Sequence, residues 1–156
     1  LLDDDRNLVV SRTFSKTWAM AGARIGYLLA PSWCVAELEK VALPYHLDAF
    51  KQVAGELALA HGPAMDQRIS VLVSERERMA TALEALPVTA WPSAANFILF
   101  RPEARPGREV WQDLVDRSVL VRDFTTMEGV EGCLRVTIGT GAENDRFLEA
   151  LREALL

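Results

Sequence analysis

The chain has 156 residues, half of them apolar and a quarter charged, a globular composition that fills one domain or slightly more and excludes an intrinsically disordered chain. With 17 basic against 22 acidic side chains the net charge is −5, which excludes nucleic acid as the main partner, because neutralising phosphates requires a basic face. No apolar run is long enough to span a bilayer, no secretory signal is read, and the two cysteines, Cys34 and Cys133, fit a reducing compartment better than a disulfide framework.

The chain opens Leu1-Leu2-Asp3-Asp4-Asp5-Arg6 without a methionine and reads as a piece of a longer protein, its acidic run exposed. Residues 7–11 (NLVVS) read as a short strand, and residues 25–30 (IGYLLA) as a second, ended by Pro31. A helix is predicted over 32–43 with Ser32 as N-cap, stopped by Pro44. Another is predicted over 48–61, capped by Asp48 and broken by His61-Gly62-Pro63. The segment 64–86 has the clearest helical period, with Ile69, Leu72, Val73, Arg76, Met79, Leu83 and Leu86 three or four residues apart. Its acids Glu75, Glu77 and Glu84 read as a solvated face. Short elements follow: strands over 88–91 and 96–101, a helix over 107–117, strands over 119–124 and 133–138, and a helix over 141–155. Thr140 and Glu143 form a capping-box pattern before the last helix. Residues 1–62 make an incomplete α/β part, because two strands cannot close a core, and residues 63–156 make a small α/β layer domain.

The densest chemistry lies in Arg12-Thr13-Phe14-Ser15-Lys16 and in Gly22-Ala23-Arg24-Ile25-Gly26-Tyr27, whose arginine stands eight residues after the lysine. A lysine amine forms a Schiff base with a carbonyl compound. Hydroxyls and a guanidinium beside it suit a phosphate. A phosphorylated aldehyde, pyridoxal 5′-phosphate, satisfies both halves. The competing S-x-x-K nucleophile pattern is set aside, because Thr13 stands three residues before Lys16 and no S-D-N or K-T-G follows.

The block T-F-S-K…G-A-R-I-G-Y resembles fold-type I pyridoxal-phosphate-dependent aminotransferases. The resemblance implies that Lys16 is the catalytic residue, holding the cofactor aldehyde and then moving protons at the substrate α-carbon. It implies that Thr13, Ser15 and Arg24 bind the cofactor phosphate, and that Gly22 and Gly26 allow a close backbone approach. Two further segments, V-L-V-R-D around Arg122 and G-C-L-R-V-T-I-G-T around Arg135, resemble the histidinol-phosphate aminotransferases. There the later arginine binds the substrate α-carboxylate in the glutamate half-reaction, and the earlier one, thirteen residues upstream, contacts the substrate phosphate. Arg122 and Arg135 have that spacing. From the residues alone, each arginine is also readable as a strand cation paired with an acid, more readily Arg122, to which Asp123 is adjacent. Leu43-Pro44-Tyr45-His46-Leu47 and Pro92-Ser93-Ala94-Ala95-Asn96-Phe97 match further segments of the family, Asn96 either lining the site or holding the turn.

The resemblance covers the chain from about residue 7 to its end. It implies an α/β fold class: the remnant of a fold-type I large domain followed by the small C-terminal domain. It further implies a cytoplasmic homodimer in histidine biosynthesis, acting on a small-molecule substrate with neither nucleic acid nor membrane as partner. The aspartate for the pyridinium nitrogen, the stacking aromatic ring and the phosphate-binding loop lie upstream in the family, so the isolated chain is expected to be inactive. The alternatives are an aromatic aminotransferase, a threonine-phosphate decarboxylase, or a short non-catalytic binding or dimerisation module. No metal site is read, because no H-x-x-H or C-x-x-C spacing exists. Cys34, Cys133, Trp33, Trp91 and Trp111 read as packing residues, and Trp18 either walls the pocket or packs.

Overall fold

In the computed structural model, which describes residues 7–156, the chain divides into two units, Leu1–Gln67 and Arg68–Leu156. The acidic run at 3–5 lies outside the described residues.

The first unit begins with an antiparallel hairpin of β1 (Val10–Thr13) and β2 (Gly26–Leu29), in register from Val10 opposite Leu29 to Thr13 opposite Gly26. Strand β1 starts three residues later than the apolar run at 7–11, because pairing with β2 decides its extent. A side chain at Gly26 would place its Cβ 2.8 Å from the Arg12 carbonyl oxygen, so glycine lets the two strands close. Helix α1 (Ser32–Val41) takes Pro31 rather than Ser32 as its N-cap. Helix α2 (Ala49–Leu59) is capped by Asp48, whose carboxylate accepts the Lys51 N–H at 3.0 Å. Gly55 of α2 faces Ile25. Among the described residues of this unit Phe14 and Ile25 are the buried large apolar ones, while Val41, Leu43, Tyr45 and Phe50 are each at least 75% exposed.

Helix α3 (Gly62–Glu84) carries the chain across the unit boundary, which falls inside it rather than at the 62/63 break. Pro63 sits in the first helical turn, where its missing N–H costs nothing, so Gly62-Pro63 starts the helix instead of separating two parts.

The second unit has two layers. Strands β3 (Val88–Ala90), β4 (Phe97–Pro102), β5 (Arg122–Asp123) and β6 (Leu134–Thr137) form one sheet in the order β3-β4-β6-β5, antiparallel throughout. Helices α4 (Gly107–Asp116) and α5 (Gly141–Ala154) complete it. Strand alternation sends Ile98, Phe100, Leu134 and Val136 to one face, where they form a core with Met79 and Leu83 of α3, Val110 and Leu114 of α4, and Phe147, Leu148 and Leu151 of α5. The Thr140–Glu143 capping box opens α5 as predicted. Asn144, 2% exposed, fixes the corner before it: its side-chain oxygen accepts the Gly139 N–H at 2.9 Å, and its amide donates to the Gly139 carbonyl at 3.1 Å and to Glu75 at 2.8 Å. Glu75 also binds Arg78, so it is part of this joint and not a merely solvated acid.

Candidate functional site

Two groups of the residues singled out above are brought together, one in each unit. In the first, β1 runs into a loop that returns as β2, and the loop is closed by Phe14 N–H donating to the Ile25 carbonyl at 3.1 Å and Met20 N–H donating to the Phe14 carbonyl at 3.1 Å. Phe14 is buried under this closure, stacked on Trp18 with centroids 5.8 Å apart and edge-on to Tyr27 at 6.0 Å. The loop therefore has an aromatic base, and Trp18 belongs to it. Thr13, Ser15, Lys16 and Arg24 all lie on this one turn of chain, with Lys16 exposed. The Thr13 hydroxyl accepts the Ser15 N–H at 3.0 Å, which folds the two hydroxyl-bearing residues onto one another. Arg24 ends a 3₁₀ turn over Ala21–Ala23 in the left-handed conformation (φ 55°), and its guanidinium donates to the Ala21 carbonyl at 3.3 Å. A left-handed non-glycine residue is uncommon and, at such a turn, marks a constrained loop. One primary amine, two hydroxyls and one guanidinium on a single turn are a donor set that fits a phosphorylated aldehyde.

In the second unit Arg122 of β5 and Arg135 of β6 stand directly opposite one another. Like charges in this position repel. Neither makes an ion pair among the described residues. The acid adjacent to Arg122 does not serve it: Asp123 binds Arg108 and accepts both the N–H and the hydroxyl of Thr125, at 2.8 and 2.6 Å. The pairing with Asp123 open from sequence is thereby corrected. Burial pushes the Asp123 carboxyl up, but the Thr125 and Arg108 contacts outweigh it and hold the group below its ordinary value. The Arg135 guanidinium lies 4.9 Å from the Phe97 ring centroid and 5.5 Å from that of Phe124, its buried Nε without a hydrogen-bond partner. Arg122 reaches the same Phe124 ring at 5.8 Å. Two guanidinium forks on aromatic rings, with no carboxylate paired to either among the described residues, are a donor set that suits an anion.

Phe97 stood out in the sequence only as the end of the Pro92–Phe97 segment and Phe124 not at all, although the period of two places Phe124 on the Arg122 face of its strand. Asn96 precedes β4, where its carbonyl accepts the Ile138 N–H at 2.9 Å. The turn before it is held by Ser93, whose hydroxyl accepts from Ala95 N–H at 3.1 Å and donates to the Phe97 carbonyl at 2.6 Å. No described residue hydrogen-bonds the Asn96 side chain, so the turn-holding role belongs to Ser93. Residues 119–121 leave the predicted strand, because Ser118 turns left-handed (φ 60°) and the Val119 N–H is taken by the Leu114 carbonyl. An open groove of about 590 Å³ remains between that segment and Val136–Gly139.

Cys133 is buried, and burial pushes its thiol up from the ordinary value, away from nucleophilic use. No cluster of possible metal ligands occurs among the described residues, and no helix is long and apolar enough to cross a membrane.

A family model described as aminotransferase class I and II matches residues 1–151. The histidinol-phosphate aminotransferase of Streptomyces avermitilis is 44% identical over 153 residues, which are 98% of this chain and 40% of that protein. That of Aquifex aeolicus is 42% identical over 94% of this chain and 42% of its own length. The chain thus spans about two fifths of the curated relatives it matches. Among solved structures, the histidinol-phosphate aminotransferase of Sinorhizobium meliloti in complex with pyridoxal-5′-phosphate superposes with a TM-score of 0.84 at 26% identity, over 99% of this chain and 42% of that one.

Proposed function

The chain belongs to the class I and II aminotransferases, and from that premise we propose that it supplies the lysine turn and the substrate-binding arginines of a pyridoxal-phosphate-dependent enzyme that transfers the amino group of histidinol phosphate to 2-oxoglutarate, giving glutamate, and back. The observation that carries this reading is the opposed pair Arg122 and Arg135, two cations on one sheet face with no acid to pair them. A substrate with a phosphate in one half-reaction and a carboxylate in the other supplies that missing charge.

When bound, the cofactor serves as an electron sink for the substrate α-carbon. Lys16 offers the amine that holds the cofactor and then carries the proton to and from that carbon. The Thr13 and Ser15 hydroxyls donate hydrogen bonds to the cofactor phosphate, and Arg24 adds a planar charged fork. Arg135, over Phe97 and Phe124, receives the glutamate α-carboxylate. Arg122 receives the substrate phosphate, and Asn96, its side chain uncommitted among the described residues, borders the same strand ends. A homodimer in the cytoplasm belongs to the same proposal, supported by the exposed apolar side chains of the first unit. So does inactivity of the chain on its own.

The test is transamination by the full-length polypeptide carrying this chain, supplied with pyridoxal phosphate, with histidinol phosphate or phenylalanine as donor and 2-oxoglutarate as acceptor. The reading requires preference for the phosphorylated donor, loss of turnover in Lys16→Ala, and loss of the preference in Arg122→Ala. Equal use of phenylalanine would favour the aromatic aminotransferase. Steady turnover by the 156-residue chain alone would refute its inactivity.

A further inference from the structure

Strand β5 is only two residues long, and the segment before it leaves the sheet beside an open groove. So short a ladder holds Arg122 weakly. The cation opposite it, Arg135, pushes it outward whenever no anion lies between them. Something else must keep β5 in register, and helix α4 provides it. The Trp111 indole N–H donates to the carbonyl of Val121, the residue before Arg122, at 3.1 Å. Arg108, one turn earlier on α4, binds the carboxylate of Asp123, the residue after Arg122. The two clasps brace one another, since the Arg108 guanidinium lies 4.3 Å from the Trp111 ring centroid. The base of α4 is itself seated against the β5–β6 loop: a Cβ at Gly107 would fall 2.3 Å from the Gly132 carbonyl oxygen.

We infer that Arg108 and Trp111 are positioning residues for phosphate recognition, gripping the neighbours of Arg122 on both sides so that its guanidinium stays opposite Arg135 against their mutual repulsion. This rests on the reading of Arg122 as the phosphate contact. Sequence alone made Trp111 a packing residue. It does pack against the core, but its N–H has this separate task.

The experiment compares histidinol phosphate with histidinol in the full-length, pyridoxal-phosphate-loaded protein, for Trp111→Phe, Arg108→Leu, Arg108→Lys and Arg122→Ala. Trp111→Phe keeps the ring and removes the donor. Arg108→Leu changes an exposed side chain and remains available where Trp111→Phe does not fold. The phosphorylated-to-unphosphorylated ratio of kcat/KM is expected to fall about tenfold in Trp111→Phe and Arg108→Leu, the scale of one hydrogen bond or ion pair, through KM with kcat nearly constant. Arg108→Lys, which retains the charge facing Asp123, recovers most of the ratio. Hydrogen exchange over 121–124 quickens in the two impaired variants and slows again when inorganic phosphate is added. A ratio unmoved in both while Arg122→Ala collapses it overturns the positioning role and leaves the phosphate contact standing. A ratio unmoved in Arg122→Ala removes the phosphate contact and this inference with it.

Discussion

Asn144→Ala tests whether the corner between β6 and α5 depends on one buried side chain. The asparagine satisfies both backbone groups of Gly139 and reaches Glu75 on α3. Alanine removes all three bonds and returns none. The two backbone bonds alone, at about 1 kcal/mol each, give a loss of about 2 kcal/mol. Where water does not reach the freed Gly139 groups, the stranded donor and acceptor raise that to about 4 kcal/mol. The Thr140–Glu143 box survives the change, so α5 keeps its cap and the loss belongs to the joint. The suitable assay is native-state hydrogen exchange on peptides spanning β6 and α5, because it isolates the second unit from the first. A loss of about 2 kcal/mol is a roughly thirtyfold increase in the opening equilibrium read there. A change below about threefold, or one spread equally over α1 and α2, would refute the assignment of this stability to the Asn144 bonds.

Three more outcomes follow from the contacts. Gly107→Ala forces the new Cβ against the Gly132 carbonyl, and overpacking of this kind costs about 1–3 kcal/mol, so thermal melting should fall by several degrees; an unchanged or higher midpoint would show that the α4 seat yields freely. Arg135→Leu removes a cation facing Arg122 and a buried Nε that lacks a partner, so the folded protein should gain stability in urea titration while it loses glutamate turnover; a destabilised variant would mean that Arg135 serves the fold. Glu75 is held below its ordinary value of 4.5 by Arg78 and then Asn144, Glu143 likewise by the Thr140 N–H and hydroxyl, and Asp123 sits below its ordinary 3.8. Lowered carboxyls contribute stability that is complete above those ordinary values and drains away as pH falls through the folded ones, so melting temperature should drop on acidification and Glu75→Gln with Asp123→Asn should flatten that limb; a wild-type midpoint constant from about pH 5 to about pH 2 contradicts the argument.

The helices were largely legible because their signals are local. The Asp48 cap, the Thr140–Glu143 box and the spacing of Met79 and Leu83 place α2, α5 and α3 to within a few residues. The Lys16 turn was legible because its residue types are chemically specific. The extent of β5 was not, since Val119, Leu120 and Val121 have ideal strand composition. Their path is set by the αL turn at Ser118 and by bonds to Leu114 and Trp111, partners outside the segment. Nor was the partner of Asp123 legible: adjacency offers Arg122, but successive residues of a strand point to opposite faces, and the cation that reaches the carboxylate comes from α4. Ser93 rather than Asn96 holds its turn for a comparable reason, because only the folded loop brings the Phe97 carbonyl over a hydroxyl.

The period-two division of the second unit's sheet separates two kinds of selection. Positions 98, 100, 134 and 136 supply packing, while 122 and 135, with Phe97 beside them, lie on the opposite face, the ligand side of the function proposed above. Substitutions on the ligand side leave the interior volume untouched, so a lineage can trade one anionic substrate for another, or drop the second charge altogether, without first acquiring compensating changes in the core. A sheet divided in this way lets a single scaffold drift across substrates at small cost in foldability, and it ties the inherited preference of each descendant to a few side chains on alternate positions.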